Sequence, residues 1–170
     1  MAETHDIVIV GGGPVGAALA IALSDSGLDV LVLEARPGGE SKDDGRTLAM
    51  SYGSRLILER LQAWARIDTP TPIRTIHVSQ KGGFGRALLH ADDVGLPALG
   101  YVVSYGELHQ ALSEALAMST SRMTTGATVE ELQCDERLTV HYRCGGDARC
   151  ATASLLVLAD GGASLGSLAG

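Results

Sequence analysis

Apolar positions recur in a definite order along the first part of the chain. Residues 6–10 (DIVIV) form a short, β-branched, nearly continuous apolar run, the pattern of a strand buried on both faces in a parallel sheet. A glycine turn follows at once. Over 14–26 Ala and Leu recur at helical spacing with no charge before Asp25, which predicts a buried helix ended near Gly27. Residues 28–34 (LDVLVLE) then predict a second strand. Strand, glycine turn, helix and strand within about 30 residues make a βαβ unit, whose crossover is expected to be right-handed.

The following segment, 36–45 (RPGGESKDDG), mixes Gly, Pro and charge and reads as an exposed loop. Ser51 or Ser54 is placed to cap a helix running to Arg66, with Leu56, Leu58, Leu61 and Trp64 as its expected buried positions. Pro70 and Pro72 break it. Residues 73–79 alternate as a strand does, 84–90 form a second extended stretch, and 81–83 read as the turn of a hairpin between them. A short strand is expected over 101–104 and a helix over 105–118, with Leu108, Ala111, Leu112 and Ala115 on its buried face. Segments 127–133, 137–143 and 148–151 predict a β-meander. A last buried strand, 154–159, delivers Asp160 and Gly161 at its carboxyl end.

Composition narrows the function classes. The 170 residues carry 13 Lys and Arg against 20 Asp and Glu, a net charge of −7, which disfavours a nucleic-acid partner. The three cysteines, Cys134, Cys144 and Cys150, form no Cys-x-x-Cys pair, so no disulfide framework or zinc knuckle is signalled and a cytoplasmic setting is expected. The longest apolar run, 15–23, is far short of the roughly 20 residues of a membrane span. The five histidines lack metal-ligand spacing, so no metal is expected. No H-E-x-x-H, G-x-S-x-G or Walker segment occurs. Glycine is the outlier, with 22 residues, about twice the usual share of roughly 7%.

The glycines concentrate where chemistry is expected. Gly11, Gly12, Gly13, Pro14, Val15 and Gly16 spell G-x-G-x-x-G directly after a strand and at the opening of a helix. In this fingerprint Gly11 permits the turn, Gly13 lets the backbone approach a pyrophosphate, and Gly16 lets helix and strand pack closely. The helix N-terminus supplies unpaired N–H groups and a positive dipole end. Glu34 ends the second strand 18 residues after Gly16, where a carboxylate hydrogen-bonds an adenosine ribose and repels a 2′-phosphate. The fingerprint alone does not decide between FAD and NAD, which share the adenosine diphosphate half.

Further segments resemble the FAD-dependent aromatic hydroxylases, the single-component flavin monooxygenases, and within them the ubiquinone-biosynthesis branch. These are IVGGGPVGAALAIAL (9–23), DDGRTLAMSYGSRLILERLQAW (43–64), PIRTIHVSQKGGFGRALLHADD (72–93), ALGYVVSYGELHQAL (98–112) and VLADGGAS (157–164). The resemblance implies an α/β, Rossmann-like FAD-binding domain with a β-meander, as in glutathione reductase, over 1–72 and 98–170. It implies that 73–97 are the first strands of an α+β substrate domain. It also implies bound FAD, NAD(P)H as co-substrate, and O2 delivered from a C4a-hydroperoxyflavin to a polyprenylated phenol.

Position by position, the resemblance implies cofactor contacts at Gly11, Gly13, Pro14, Val15, Gly16, Glu34, Ala35, Arg46, Glu107, Val129, Asp160 and Gly161. Arg46 falls near the flavin and its diphosphate. Glu107 stands where relatives often hold Gln near the ribityl chain. The backbone at Thr128 and Val129 flanks adenine, and Asp160 and Gly161 form the second Asp-Gly motif. Ser167 stands where many relatives carry Arg, and no catalytic residue is assigned. Relatives run to more than twice this length, so the chain is expected to be an N-terminal portion, inactive by itself. Attachment to the inner face of a membrane and association with other ubiquinone-biosynthesis proteins are compatible with this reading. Two other readings stay open: a different FAD oxidoreductase or dehydrogenase, and a nucleotide-binding module or complex subunit without its own activity.

Overall fold

A computed structural model describes residues 3–39, 45–134 and 137–162. The chain divides into two compact units, Met1–Ser41 with Leu112–Gly170, and Lys42–Ala111.

In the first unit, strand β1 (Glu3–Val10) leads through helix α1 (Pro14–Ala22) to strand β2 (Val30–Glu34), the expected βαβ order. Helix α1 stops four residues early. Leu23 caps it, and the Ser26 hydroxyl donates to the Leu23 carbonyl at 2.6 Å. Residues 24–27 thus form a turn, closed at Gly27 with φ +77°. Strand β2 starts at Val30, two residues later than expected, and the Asp29 carbonyl just before it accepts the N–H groups of Asp6 and Ile7 of β1.

The second unit opens with β3 (Thr47–Ser51) and helix α2 (Tyr52–Arg60), then β4 (Thr71–Ile73), β5 (Thr75–Ser79), β6 (Arg86–His90) and β7 (Gly100–Ser104). Ser51 is the N-cap of α2, its hydroxyl accepting the Ser54 N–H at 3.1 Å. The helix ends at Arg60, short of Arg66, because Gln62 takes a left-handed φ of +57°, unusual for a residue with a Cβ. Of its four expected core positions only Leu58 is buried, while Leu56 is exposed. Strands β3, β7 and β4 form one antiparallel sheet, and β5 and β6 pair only with each other among the described residues.

Helix α3 (Tyr105–Ala117) follows β7 and buries Leu108, Ala111, Leu112 and Ala115 as expected. Back in the first unit come β8 (Arg122–Thr125), β9 (Ala127–Cys134), β10 (Leu138–Cys144) and β11 (Asp147–Leu158). The six-stranded sheet has the order β8-β2-β1-β11-β10-β9. Its β8, β2, β1 and β11 run parallel, while β11, β10 and β9 form the antiparallel meander. This is the expected α/β, Rossmann-like architecture. The segments expected as separate strands at 148–151 and 154–159 are one strand, β11, which pairs with β10 through Asp147–Ala153 and with β1 through Ala151–Leu158. One face packs Val8, Val10, Leu31, Leu33, Val140 and Tyr142 into a core.

Candidate functional site

The carboxyl ends of the parallel strands converge on the glycine turn, where α/β sheets bind ligands. Strand β1 runs into Gly11, β2 ends at Glu34, and β11 is followed by Asp160. The Ala159 N–H donates to the Val10 carbonyl at 2.7 Å, and the Gly11 N–H donates to the Leu33 carbonyl at 2.8 Å. Three chain segments are therefore stitched together at one point.

Each glycine of the turn has a separate reason. Gly11 has φ +106°, and a Cβ there meets the Ala159 carbonyl, with Asp160 Cα 2.9 Å away. A Cβ on Gly16 collides with the Gly11 carbonyl oxygen. Gly12 is wedged between Glu34 and Met123, whose Cβ and Sδ lie 3.0 Å and 3.2 Å from where its Cβ would stand. Gly13 differs: nothing lies within 4 Å of a Cβ built there. That space is open beside the first turn of α1, whose N-cap is Gly13, with no side-chain cap and no acidic residue.

Pro14 occupies the first position of the helix, where its missing N–H costs nothing, and Val15 beside it is exposed. The first intrahelical bond runs from Ala17 N–H to the Gly13 carbonyl, so earlier N–H groups have no helical acceptor. An anion fits there.

Glu34 is 7% exposed and already holds the turn in shape. Its Oε2 accepts the Gly12 N–H at 2.6 Å, and its Oε1 accepts the Arg36 N–H at 3.0 Å and the Arg36 Nε at 2.9 Å. Burial pushes the carboxyl upward, but the hydrogen bonds from Arg36 and Gly12, with the guanidinium's charge, outweigh it and hold it below its ordinary value. A carboxylate offers about four acceptor positions, so one remains for a ribose hydroxyl.

Ala35, next in sequence, is exposed. Asp160 Oδ1 accepts the Gly162 N–H at 3.2 Å, while its Oδ2 is buried without a hydrogen-bond partner among the described residues. Gly161 follows with φ +75°. Val129 packs its side chain against the core in β9, leaving only its backbone to a ligand.

Arg46 and Glu107 belong to the second unit. The Arg46 guanidinium lies 4.4 Å from the Tyr105 ring centroid, and the Arg46 carbonyl accepts the Tyr105 N–H at 2.9 Å. Glu107 Oε1 accepts the Thr69 hydroxyl at 3.2 Å, and its Oε2 is buried without a hydrogen-bond partner among the described residues. Asp44 and Ser167 lie outside the described residues. Sequence reasoning missed Arg36 and Met123. Arg36, two residues beyond the acid at the end of β2, was a readable signal. Met123 was not, because the pattern around it predicts no strand.

The comparisons agree with this geometry. Residues 6–84 match the family model described as FAD dependent oxidoreductase. The chain carries a domain of that family, an FAD-binding fold of α/β class. Among curated relatives, the 3-demethoxyubiquinol 3-hydroxylase of Escherichia coli K12 is 35% identical over 120 residues, 67% of this chain and 30% of the relative. The ubiquinone hydroxylase UbiM of Neisseria meningitidis is 32% identical over 173 residues, 94% of this chain and 36% of the relative. The chain thus spans about a third of the length of these relatives. The crystal structure of CabE, an aromatic hydroxylase from angucycline biosynthesis, shares the fold with a TM-score of 0.77 at 22% identity, over 98% of this chain and 33% of that one.

Proposed function

We propose that the whole protein is an FAD-dependent monooxygenase that hydroxylates a polyprenylated phenol in ubiquinone biosynthesis, consuming NAD(P)H and O2. These 170 residues hold the adenosine diphosphate end of its flavin. The relatives named as ubiquinone hydroxylases support the substrate class. Segments 43–64 and 72–93 resemble 2-octaprenyl-6-methoxyphenol hydroxylase in particular. Turnover is assigned to the whole protein, and nucleotide binding to this segment. Residues 73–97 are assigned to its substrate domain, and the remaining described residues to the FAD domain.

The observation that carries the reading is the Gly12–Glu34 hydrogen bond beside the uncapped helix α1. It sets a ribose acceptor next to an anion site on a turn whose shape does not depend on the ligand. The N–H groups of Gly13, Val15 and Gly16 at the first turn of α1 receive the diphosphate, and Pro14, which has no N–H, sets the geometry of that turn. Glu34 accepts a ribose hydroxyl, and its charge disfavours a 2′-phosphate. Ala35 and the Val129 backbone border the adenine. Arg46 offers a cation to the diphosphate, Glu107 an acceptor to the ribityl hydroxyls, and Asp160 with Gly161 completes the diphosphate contacts. The chemistry supplied by the flavin, when bound, is hydride acceptance from the nicotinamide and activation of O2.

Titrating the chain with FAD, ADP and NAD, followed by flavin fluorescence and calorimetry, tests the reading. FAD and ADP are expected to compete for one site. Tighter binding of NAD than of FAD, or no binding of ADP, defeats it. For the whole protein, substrate-stimulated O2 uptake with formation of hydroxylated phenol separates a hydroxylase from a dehydrogenase.

A further inference from the structure

Strand β8 brings a thioether to the glycine turn. Met123 pairs in parallel register with Val32 of β2, two residues before Glu34. The approach to the strand is tied to α1, where the Ser121 hydroxyl donates to the Ala20 carbonyl at 2.8 Å. The backbone that carries Met123 is thus fixed by two neighbours. From it the side chain reaches the turn with its sulfur foremost. A Cβ built on Gly12 has Met123 Sδ at 3.2 Å and Glu34 Oε2 at 3.1 Å, and the same Oε2 accepts the Gly12 N–H. Sulfur, carboxylate oxygen and peptide N–H therefore meet at one residue.

Met123 is also open to solvent, 36% exposed beside a Glu34 that is 7% exposed. A thioether donates nothing and accepts weakly, so it leaves the Gly12 N–H to the carboxylate. Two-electron oxidation changes that. Hydrogen peroxide transfers one oxygen to the sulfur: the O–O bond breaks, an S–O bond forms, the sulfur is oxidised to a sulfoxide and the peroxide is reduced to water. A polar group then stands where a soft apolar one stood. Its oxygen competes with Glu34 for the Gly12 N–H and turns a negative dipole end toward the carboxylate. Both effects act on the acceptor offered to a ribose. Hydrogen peroxide is the two-electron reduction product of O2, the co-substrate of the reaction proposed for the whole protein.

We propose that Met123 is an oxidation site that switches nucleotide binding: peroxide converts it to the sulfoxide and weakens the adenosine diphosphate site, and reduction of the sulfoxide restores it. Met118 supplies the contrast. It is the more exposed methionine, at 78%, but it follows α3, its N–H donating to the Ala115 carbonyl. Position at the turn, and not exposure, assigns the switch to Met123. The assignment rests on the nucleotide site proposed above. A nucleotide seated against Gly12 and Glu34 covers the sulfur, so binding and oxidation oppose each other.

The test treats the chain with hydrogen peroxide, with and without saturating ADP, and follows each methionine by peptide mass spectrometry. Dithiothreitol is added afterwards to return reversibly oxidised cysteines to thiols. Calorimetry then reads ADP affinity. Oxidation of Met123 is expected to lower that affinity by about tenfold, the worth of one charge-assisted hydrogen bond, and methionine sulfoxide reductases are expected to restore it. ADP is expected to slow oxidation of Met123 and not of Met118. Met118→Leu is expected to keep the response to peroxide, whereas Met123→Leu, whatever affinity it starts from, is expected to lose it. Circular dichroism reports whether the oxidised chain stays folded. The proposal is overturned if Met118 oxidises while Met123 does not, if the loss of affinity comes with unfolding, or if Met123→Leu responds as the parent does. An oxidised chain that binds ADP as tightly as the untreated one defeats the switch alone. An untreated chain that binds no ADP defeats the nucleotide reading itself, and the switch with it.

Discussion

The backbone N–H of Gly12 donates to the carboxylate of Glu34 over 2.6 Å in a buried setting, so the glycine turn and the acid at the end of β2 are one device. Replacing Glu34 with Gln keeps an oxygen for Gly12 but removes the charge that favours a ribose hydroxyl. Charge-assisted hydrogen bonds contribute about 1.5–3 kcal/mol, so ADP affinity is expected to fall by roughly tenfold or more. The ratio of ADP to 2′-phospho-ADP affinity, measured by calorimetry, is expected to shift toward the phosphorylated nucleotide. An unchanged ratio removes Glu34 from ribose recognition.

The same carboxylate makes stability depend on pH. Its folded-state pKa is depressed by Arg36 and Gly12 against the opposing pull of burial. A depressed acid contributes stability that is present above the unfolded pKa, about 4.3 for glutamate, and lost as pH falls through the lower folded value. The melting temperature of the parent is therefore expected to drop more steeply below about pH 4.3 than that of Glu34→Gln. Parallel acid limbs for the two proteins contradict this assignment.

Gly13 and Gly16 separate binding from folding. A methyl at Gly16 meets the Gly11 carbonyl oxygen, whereas one at Gly13 meets nothing within 4 Å. Gly16→Ala is expected to destabilise the protein by about 1–3 kcal/mol, as overpacking does, seen as a lower urea midpoint. Gly13→Ala is expected to leave that midpoint nearly unchanged and still weaken ADP binding, because its methyl occupies the space offered to the diphosphate. If Gly13→Ala binds ADP as the parent does, the diphosphate lies elsewhere.

Legibility in the sequence followed burial. The run at 6–10 was readable because Ile7–Val10 are buried, and the alanine-rich helix by its apolar spacing, although only Gly16, Ala17 and Ala20 of it are buried and Val15 is exposed, less than the buried helix expected. Strand β8 was not, since Arg122–Thr125 (RMTT) is an edge strand, held by pairing with β2 rather than by an apolar face. Strand β3 (TLAMS) was missed for a like reason, with three of its five residues exposed. β11 read as two strands because its partners change along its length, an antiparallel neighbour at one end and a parallel one at the other. In the site, the glycines and Glu34 were legible as a spacing. Arg36, two residues beyond that acid, was a readable signal as well, whereas the confinement of Gly12 by Met123 depends on a distant strand that the linear pattern does not reveal.

The amino ends of the same parallel strands offer a control for the site at their carboxyl ends. His5 is buried in β1, its Nδ1 lies 2.9 Å from Asp29 Oδ2, and Arg122 of β8 reaches the same carboxylate at 3.4 Å. Asp29 thus links the starts of three neighbouring strands, and it lies at the opposite end of β2 from Glu34. Replacing it with Ala removes one partner of the buried His5 ring, a loss of about 1 kcal/mol for a hydrogen bond whose acceptor is half exposed. The Arg122 guanidinium, 3.2 Å from the same ring nitrogen, offsets part of that cost. Asp29→Ala is therefore expected to lower the urea midpoint while leaving ADP affinity unchanged, the converse of Gly13→Ala. If Asp29→Ala weakens ADP binding as much as it lowers stability, the two ends of the sheet are coupled, and the separation of folding from binding at the glycine turn fails with it.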